Sequence, residues 1–209
     1  MSEVMAGPAA ARLGPAGRGG GGPASQRVTV AFGFWIFLLS DIVMFSAMFA
    51  AYAVLSPQTA GGPRGHDLFD LGNAAIETGL LLMSTYVCAL AALAVERRRM
   101  GGFYAASLAT FLLGAGFLAL ELREFAAMAA RGAGPGRSAF LSAFFSLVGL
   151  HGAHVAAGLL WLVFGVVQVA VRGPRDFVLR RLHCFALFWH ALDIIWVGLV
   201  TLVYLMGAR

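Results

Sequence analysis

Five long apolar segments, separated by short stretches rich in glycine, proline and arginine, dominate the pattern along the chain. Each segment is long enough to cross a bilayer as an α-helix, which needs about 20 residues. In lipid every backbone polar group must be satisfied within such a segment, so helices are predicted rather than strands. The fold class expected is therefore all-α, a polytopic membrane protein with a bundle of five transmembrane helices. The helices should cover, approximately, residues 28–55, 73–95, 102–129, 138–171 and 181–206.

Residues 1–26 have a different character, being mostly glycine, proline, alanine and arginine with few bulky apolar side chains. Such a segment cannot bury enough surface to order itself, so a flexible tail is predicted. It also lacks the apolar core of a secretory signal peptide, and we do not expect it to be cleaved. Two regions follow from this division, a tail at 1–26 and a transmembrane domain at 27–209.

Composition strengthens the membrane prediction. The chain of 209 residues is 60% hydrophobic and only 12% charged, whereas soluble domains are about 45–50% apolar and about 25% charged. The net charge of +5 comes from 15 basic residues, all of them arginine. Because these arginines lie between apolar runs, they are interpreted as topology signals, and no nucleic-acid partner is expected.

The distribution of arginine predicts the orientation. Ten arginines fall in the amino-terminal tail and in the second and fourth connections, and four fall in the other connections and at the carboxy terminus. Cytoplasmic loops carry the excess of positive charge. The amino terminus, with the 1–26 tail, should therefore be cytoplasmic and the carboxy terminus periplasmic.

Ionisable residues within the apolar segments are the candidate functional residues, because such groups are costly in lipid and usually face the interior of a bundle. A rise of about 1.5 Å per residue places Asp41 and Asp193 near the middle of the membrane, and Glu121 and His151 at similar depths. The candidates are Asp41 in the first helix, Glu121 and Glu124 in the third, His151 and His154 in the fourth, and His190 and Asp193 in the fifth.

Two further expectations concern neighbouring positions. Glu77 lies about one turn into the second helix and is expected to reach the outer headgroups. Gly149, Ala153 and Ala157 recur every four positions in the fourth helix, and Gly114 lies in the third. Small residues let helices approach closely in a membrane, so these positions are expected to form helix contacts.

Three interpretations compete for the buried polar groups. Histidines three positions apart opposite a Glu-x-x-Glu could bind a metal or haem, but the Glu-x-x-His repeat of di-iron bundles is missing. Cys88 and Cys184 form no thiolate cluster. Buried carboxylates could instead carry protons, although a relay needs polar steps at every depth. Hydrogen bonds between helices, each worth about 1 kcal/mol, are the interpretation that we favour, and the other two stay open.

Three long motifs resemble subunit III of the haem–copper terminal oxidases. They are FGFWIFLLSDIVMFSAMFAAYAVL, FLSAFFSLVGLHGAHVAAGLLWL and LFWHALDIIWVGLVTLVYLMG, and the resemblance covers nearly everything after residue 30. The chain is most similar to the cytochrome o (bo3-type) ubiquinol oxidase branch, because it has five helices rather than seven and contains AGGPRGHDLFDL and ETGLLLMSTY. Some cytochrome c oxidases also have a five-helix subunit III, so a subunit of a cytochrome c oxidase remains an alternative. A stand-alone proton-coupled carrier is a further alternative.

The resemblance implies a role. Such a complex reduces dioxygen to water and pumps protons, with its haems and copper in subunit I, and subunit III carries no redox centre. It implies a cofactor-free accessory chain in the bacterial inner membrane, packed beside subunit I, with subunits II and IV and membrane lipids as further partners. The chain itself would have no catalytic, cofactor-binding or metal-binding residue.

Several ionisable positions in the motifs of the family have counterparts in this sequence. Asp41 falls where related subunits hold a buried carboxylate, which could influence proton delivery to subunit I. Glu121 and Glu124 match paired glutamates, while His151 and His154 match an HGxH pair. His190 and Asp193 match a WHFxDxxW pattern. Arg123 departs from the family, in which an aromatic residue is more usual between the two glutamates.

Overall fold

The computed structural model describes residues 26–63, 65–205 and 207. Over these residues the secondary structure is entirely helical, with no strand. The α-helices are α1 (Gln26–Leu55), α2 (Gly65–Leu68), α3 (Leu71–Glu96), α4 (Met100–Ala130), α5 (Ala139–Arg172) and α6 (Asp176–Leu199), and α6 continues into a π-helical turn at Val200–Leu205. The tail predicted for residues 1–26 lies outside the described residues, apart from Gln26, which begins α1.

Five of these helices are long and apolar enough to cross a membrane, which confirms the predicted fold class for the described part of the chain. The first four predicted spans agree with the observed helices to within two residues at each end. The last was predicted to begin at residue 181, but α6 begins at Asp176. The connection is therefore shorter than predicted. Asp176 lies in the first turn of α6, where an acidic side chain is favoured by the helix dipole, so the helix can begin there.

Side-chain and backbone caps mark several helix ends. Asp70 caps α3, and its Oδ1 accepts hydrogen bonds from the backbone N–H groups of Gly72 at 2.9 Å and Asn73 at 3.3 Å. Ser138 caps α5 by accepting a bond from the Leu141 N–H at 3.2 Å. These bonds satisfy donors that the first turn of a helix leaves without partners. At the other end of α5 Gly173 has φ +74°, which L-residues with a side chain rarely adopt.

The described residues form two units, the first ending at Phe37 and the second comprising Leu38–Arg209. The described part of the first unit is the beginning of α1, where the rings of Phe34 and Phe37 lie 5.9 Å apart. The second unit contains the rest of α1 and all the other helices. Every candidate functional residue lies in this second unit.

Within the second unit, four helices pack in a closed ring. The contacts run from α3 to α4, from α4 to α5, from α5 to α6, and from α6 back to α3. The part of α1 that belongs to this unit contacts α5 through large side chains. Phe45 lies 5.2 Å from the ring of His154, and Tyr52 lies 6.1 Å from Phe140.

The two ends of this unit differ. At one end, which we call the Phe69 end, α4 finishes and α3 and α5 begin, and the ring of Phe69 packs on Phe140, Phe144 and Tyr204. At the other end, which we call the Arg98 end, α3 connects to α4 and α5 connects to α6. An apolar cluster fills the Arg98 end, formed by Ala91, Val95, Phe103, Val169, Val178 and Leu182.

Glycines allow the closest helix approaches, though mostly not at the predicted positions. Ala153 and Ala157 are exposed rather than buried in a contact within the chain. A Cβ atom added at Gly158 would lie 2.8 Å from Trp189, and one added at Gly114 would lie 2.9 Å from Leu159. The prediction for Gly114 is therefore confirmed, whereas α5 presents Gly152 and Gly158 to its neighbours instead of the 153–157 pair.

Replacing Gly158 with valine should destabilise the chain, because the new side chain would collide with the rings of Trp189 and Phe188. Overpacking of this kind costs about 1–3 kcal/mol. The matched control is Gly79→Val, also within a helix, where an added Cβ has no neighbour within 4 Å. Both variants carry the same helix-propensity cost. Thermal unfolding in detergent should show a lower midpoint for Gly158→Val, and equal midpoints would contradict this packing.

Candidate functional site

The main polar group of the second unit is a set of three carboxyls with one amide between them, near the Phe69 end. Asn73 and Glu77 come from α3, while Glu121 and Glu124 come from α4. The Asn73 amide donates to Glu77 Oε1 at 3.0 Å and to Glu124 Oε2 at 3.2 Å. We call these four residues the carboxyl cluster.

Helical spacing explains why these side chains meet. Asn73 and Glu77 are four positions apart, and Glu121 and Glu124 are three apart, so each pair lies on one face of its helix. The Asp70 cap fixes where α3 begins, one turn before Asn73. Because α3 and α4 pack side by side, their two polar faces are brought into contact. The Tyr204 side chain lies beside Glu124 and adds a hydroxyl to the edge of the cluster.

Several oxygens of the carboxyl cluster are buried without a hydrogen-bond partner among the described residues. They are Glu77 Oε2, Glu121 Oε2 and Glu124 Oε1. Glu77 is 0% exposed, so the expectation that it reaches the outer headgroups is wrong. It points inwards because Asn73, one turn earlier on the same face, draws its carboxyl into the contact with α4. This i, i+4 spacing in the sequence is the signal that could have indicated the contact.

Glu121 reaches across to α5 at a glycine. A Cβ atom added at Gly152 would lie only 2.6 Å from Glu121 Oε1, so the carboxyl occupies the space that a side chain would need. Glu121 and His151 were predicted to lie at similar depths, and the structure places the Glu121 carboxyl against Gly152, the residue next to His151. No hydrogen bond between Glu121 and His151 is formed.

His151 is 0% exposed and is surrounded by rings. Its imidazole stacks on Trp196 at 5.2 Å and meets Phe117 edge to face at 5.8 Å. Neither of its ring nitrogens has a hydrogen-bond partner among the described residues. Its contacts are therefore those of an aromatic core residue that joins α5 to α6 and α4.

His154, one turn away, belongs to a different group. Its Nε2 lies 4.0 Å from Asp41 Oδ1, and its Nδ1 lies 2.8 Å from the backbone oxygen of Leu150. The side chains of Asp41 and His154 keep 14% and 19% of their surface exposed. The structure thus brings together two of the predicted residues, on α1 and α5, in a pair that the chain itself leaves partly uncovered.

The candidates on α6 are separate again. Asp193 is buried and His190 is half-buried, and Asp193 lies close to both His190 and Thr85 of α3. His183, at the Arg98 end, pairs instead with Glu96, with His183 Nε2 3.1 Å from Glu96 Oε1. His183 is thus separated from His190 and Asp193, and it lies against the last residue of α3.

Two hydrogen bonds between helices were not anticipated from the sequence. Trp189 Nε1 donates to Ser84 Oγ at 3.0 Å, and Trp196 Nε1 donates to Thr78 Oγ1 at 3.0 Å. Both bonds join α6 to α3. A hydroxyl in an apolar helix can equally bond its own backbone, as Thr78 also does with Ala74. The partner of such a hydroxyl is therefore not evident from the sequence.

Metal binding was one interpretation of the histidine pair. The described residues contain no group of three or more histidine, cysteine, aspartate or glutamate side chains placed to hold a metal ion. His151 and His154 face different surroundings, the first among aromatic rings and the second towards Asp41.

Comparison with known proteins identifies the family. Residues 20–208 match the family model of cytochrome c oxidase subunit III. A cytochrome bo(3) ubiquinol oxidase subunit 3 from Pseudomonas aeruginosa is 49% identical over 177 residues, which cover 85% of each chain. A quinol oxidase subunit 3 from Bacillus spizizenii is 41% identical over 84% of this chain and 86% of that protein. A cytochrome c oxidase subunit 3 from Bacillus sp. PS3 is 39% identical over 84% of each chain. The chain belongs to the cytochrome c oxidase subunit III family.

Proposed function

We propose that this chain is the accessory third subunit of a proton-pumping quinol oxidase in the bacterial inner membrane. The observation that carries the proposal is the 49% identity, over most of both chains, to a protein named as a subunit of a ubiquinol oxidase. A relative named for cytochrome c oxidase is 39% identical. The haems and copper belong in this proposal to subunit I, and subunits II and IV and membrane lipids are further partners.

Arginine distribution supports the orientation proposed for the chain. The Arg98 end carries Arg97, Arg98 and Arg99 in one connection, Arg172 as the last residue of α5 and Arg175 in the other connection. Positive charge accumulates on the cytoplasmic side, so this end and the amino-terminal tail at 1–26 are assigned to the cytoplasm. The Phe69 end and the carboxy terminus are then periplasmic.

The Asp41–His154 pair supports a position for subunit I. Ionisable side chains that face lipid are costly, yet this pair keeps part of its surface exposed on the isolated chain. Ala153 and Ala157 lie next to His154 on α5 and are also exposed. Small residues allow another helix to come close. A helix of subunit I packed on this face would cover the pair, and Asp41 would then lie where it can influence proton delivery to that subunit.

Purification in mild detergent tests the proposed function. The chain should copurify with a haem-containing partner, and the complex should oxidise ubiquinol with consumption of dioxygen. The same preparation, assayed with reduced cytochrome c, serves as the control for the electron donor. Preference for cytochrome c would move the chain to the other branch of the family. A chain that purifies alone, without haem, would contradict the role of accessory subunit.

Replacing Ala157 with leucine should weaken the association with subunit I, because the larger side chain would hold the neighbouring helix away from α5. The matched control is Ala119→Leu on α4, which is exposed but lies on a different helix of the ring. Blue native electrophoresis should show a smaller intact fraction of the Ala157→Leu complex than of the control. If both variants remain equally associated, the partner face is elsewhere.

The carboxyl cluster is assigned a structural role in the same proposal, since its amide connects the carboxyls of α3 and α4. Replacing Asn73 with leucine removes both donated hydrogen bonds and leaves buried acceptors without a partner, which costs about 1–3 kcal/mol. The control is Thr201→Val, which removes an exposed hydroxyl bonded only to its own helix. Thermal unfolding should show a lower midpoint for Asn73→Leu and an unchanged midpoint for Thr201→Val. A double-mutant cycle with Glu124→Gln should show coupling, and independent effects would contradict the bridging role.

A further inference from the structure

A cleft opens at the Phe69 end, between the beginning of α3 and the end of α4. It has a volume of about 270 Å³, and its lining residues include two acidic residues, Asp70 and Glu124, and two arginines, Arg123 and Arg131. The amide of Asn73 and the apolar side chains of Leu120 and Met128 complete much of its wall. We call it the Asp70 cleft.

The position of the cleft along α4 corresponds to the edge of a bilayer. The hydrocarbon core is about 30 Å thick, which is about ten residues of helix on either side of the centre. The middle of Met100–Ala130 is Ala115, so the core would end near residue 125. Arg123 and Glu124 then lie at the boundary, and Arg131 lies among the headgroups. Arginines at such a boundary extend their charged ends towards the phosphates.

The cleft contains two positively charged and two negatively charged side chains. Two guanidinium groups suit a phosphate, because their N–H donors match its oxygens in geometry and charge. Two carboxyls suit an ammonium group, and the side chains here are the exposed Asp70 and the half-buried Glu124. Leu120 and Met128 offer apolar surface for the glycerol and the upper part of an acyl chain, which a free phosphate or amine would not use.

We propose that the Asp70 cleft binds the headgroup of an aminophospholipid, with the phosphate at Arg123 and Arg131 and the ammonium at Asp70 and Glu124. A zwitterionic headgroup matches both sets of charges. An anionic phosphatidylglycerol leaves the carboxyls without a counter-charge, and phosphatidylcholine carries no N–H group to donate to them. Arg123, the residue that departs from the family pattern, thereby acquires a binding role.

The inference rests on the proposed function for its membrane setting, so the test uses the intact oxidase complex. The complex is exchanged into nanodiscs containing equal amounts of phosphatidylethanolamine, phosphatidylcholine and phosphatidylglycerol, and the lipids that it retains are counted by native mass spectrometry. Only preparations with full oxidase activity are scored. Failure of the lipid inference is thus distinguished from failure of the proposed function.

Phosphatidylethanolamine should be retained in preference to the other two lipids. Arg123→Gln and Asp70→Asn should each lower its retention about tenfold, the effect of losing one charge-assisted hydrogen bond. Asparagine caps a helix about as well as aspartate, so Asp70→Asn removes the charge and leaves α3 in place. The matched control is Arg137→Gln, an exposed arginine of the connection between α4 and α5 that does not line the cleft, and its retention should equal that of the unaltered complex.

The lipids themselves provide a test that needs no variant. Stepwise N-methylation of phosphatidylethanolamine removes the N–H donors one at a time, and retention by the unaltered complex should fall with each step. Equal retention of phosphatidylethanolamine and phosphatidylcholine would overturn the assignment of the ammonium to the carboxyls. Stronger retention of phosphatidylglycerol would make the cleft an anionic-lipid site and would overturn the proposal, as would an Arg123→Gln complex with unchanged retention.

Discussion

The pairing of the helices depends on a few polar side chains that find partners on a neighbouring helix. Apolar helices gain little by packing together in lipid, because the acyl chains are as apolar as leucine. A buried amide, indole or hydroxyl is different, since leaving it without a partner costs more than the bond itself gives. The bonds from Trp189 to Ser84, from Trp196 to Thr78 and from Asn73 to Glu124 therefore select which helix faces α3.

Close backbone approach supports the same arrangement. Gly158 leaves room for the ring of Trp189, which is the ring that reaches Ser84 across the bundle. Gly152 leaves room for the Glu121 carboxyl, which could not lie there beside any side chain. The missing side chains and the polar contacts thus act together at these two places, because the Trp189 ring and the Glu121 carboxyl each need a position where the opposite helix has no Cβ atom.

The polar groups of the chain separate into those that it covers by itself and those that it does not. His151 and Glu77 are fully enclosed among the described residues. The Asp41–His154 pair and the Asp70 cleft remain partly open, one on the side of the unit and the other at its end. For a subunit of a membrane complex, such openings mark the places where a second protein or a lipid completes the surface.

The sequence by itself determined the number of helices, their spans to within a few residues and the family, because length, hydropathy and local motifs are properties of consecutive residues. It also identified Gly114 as a contact position and the ionisable residues within the spans. It could not decide which polar groups meet. The inward position of Glu77, the separation of His151 from His154 and the exposure of Ala153 and Ala157 all depend on how far each helix is rotated about its axis. That rotation is decided only when α3, α4, α5 and α6 close into a ring, since partners such as Ser84 and Trp189 are far apart in the chain and become neighbours only through tertiary packing.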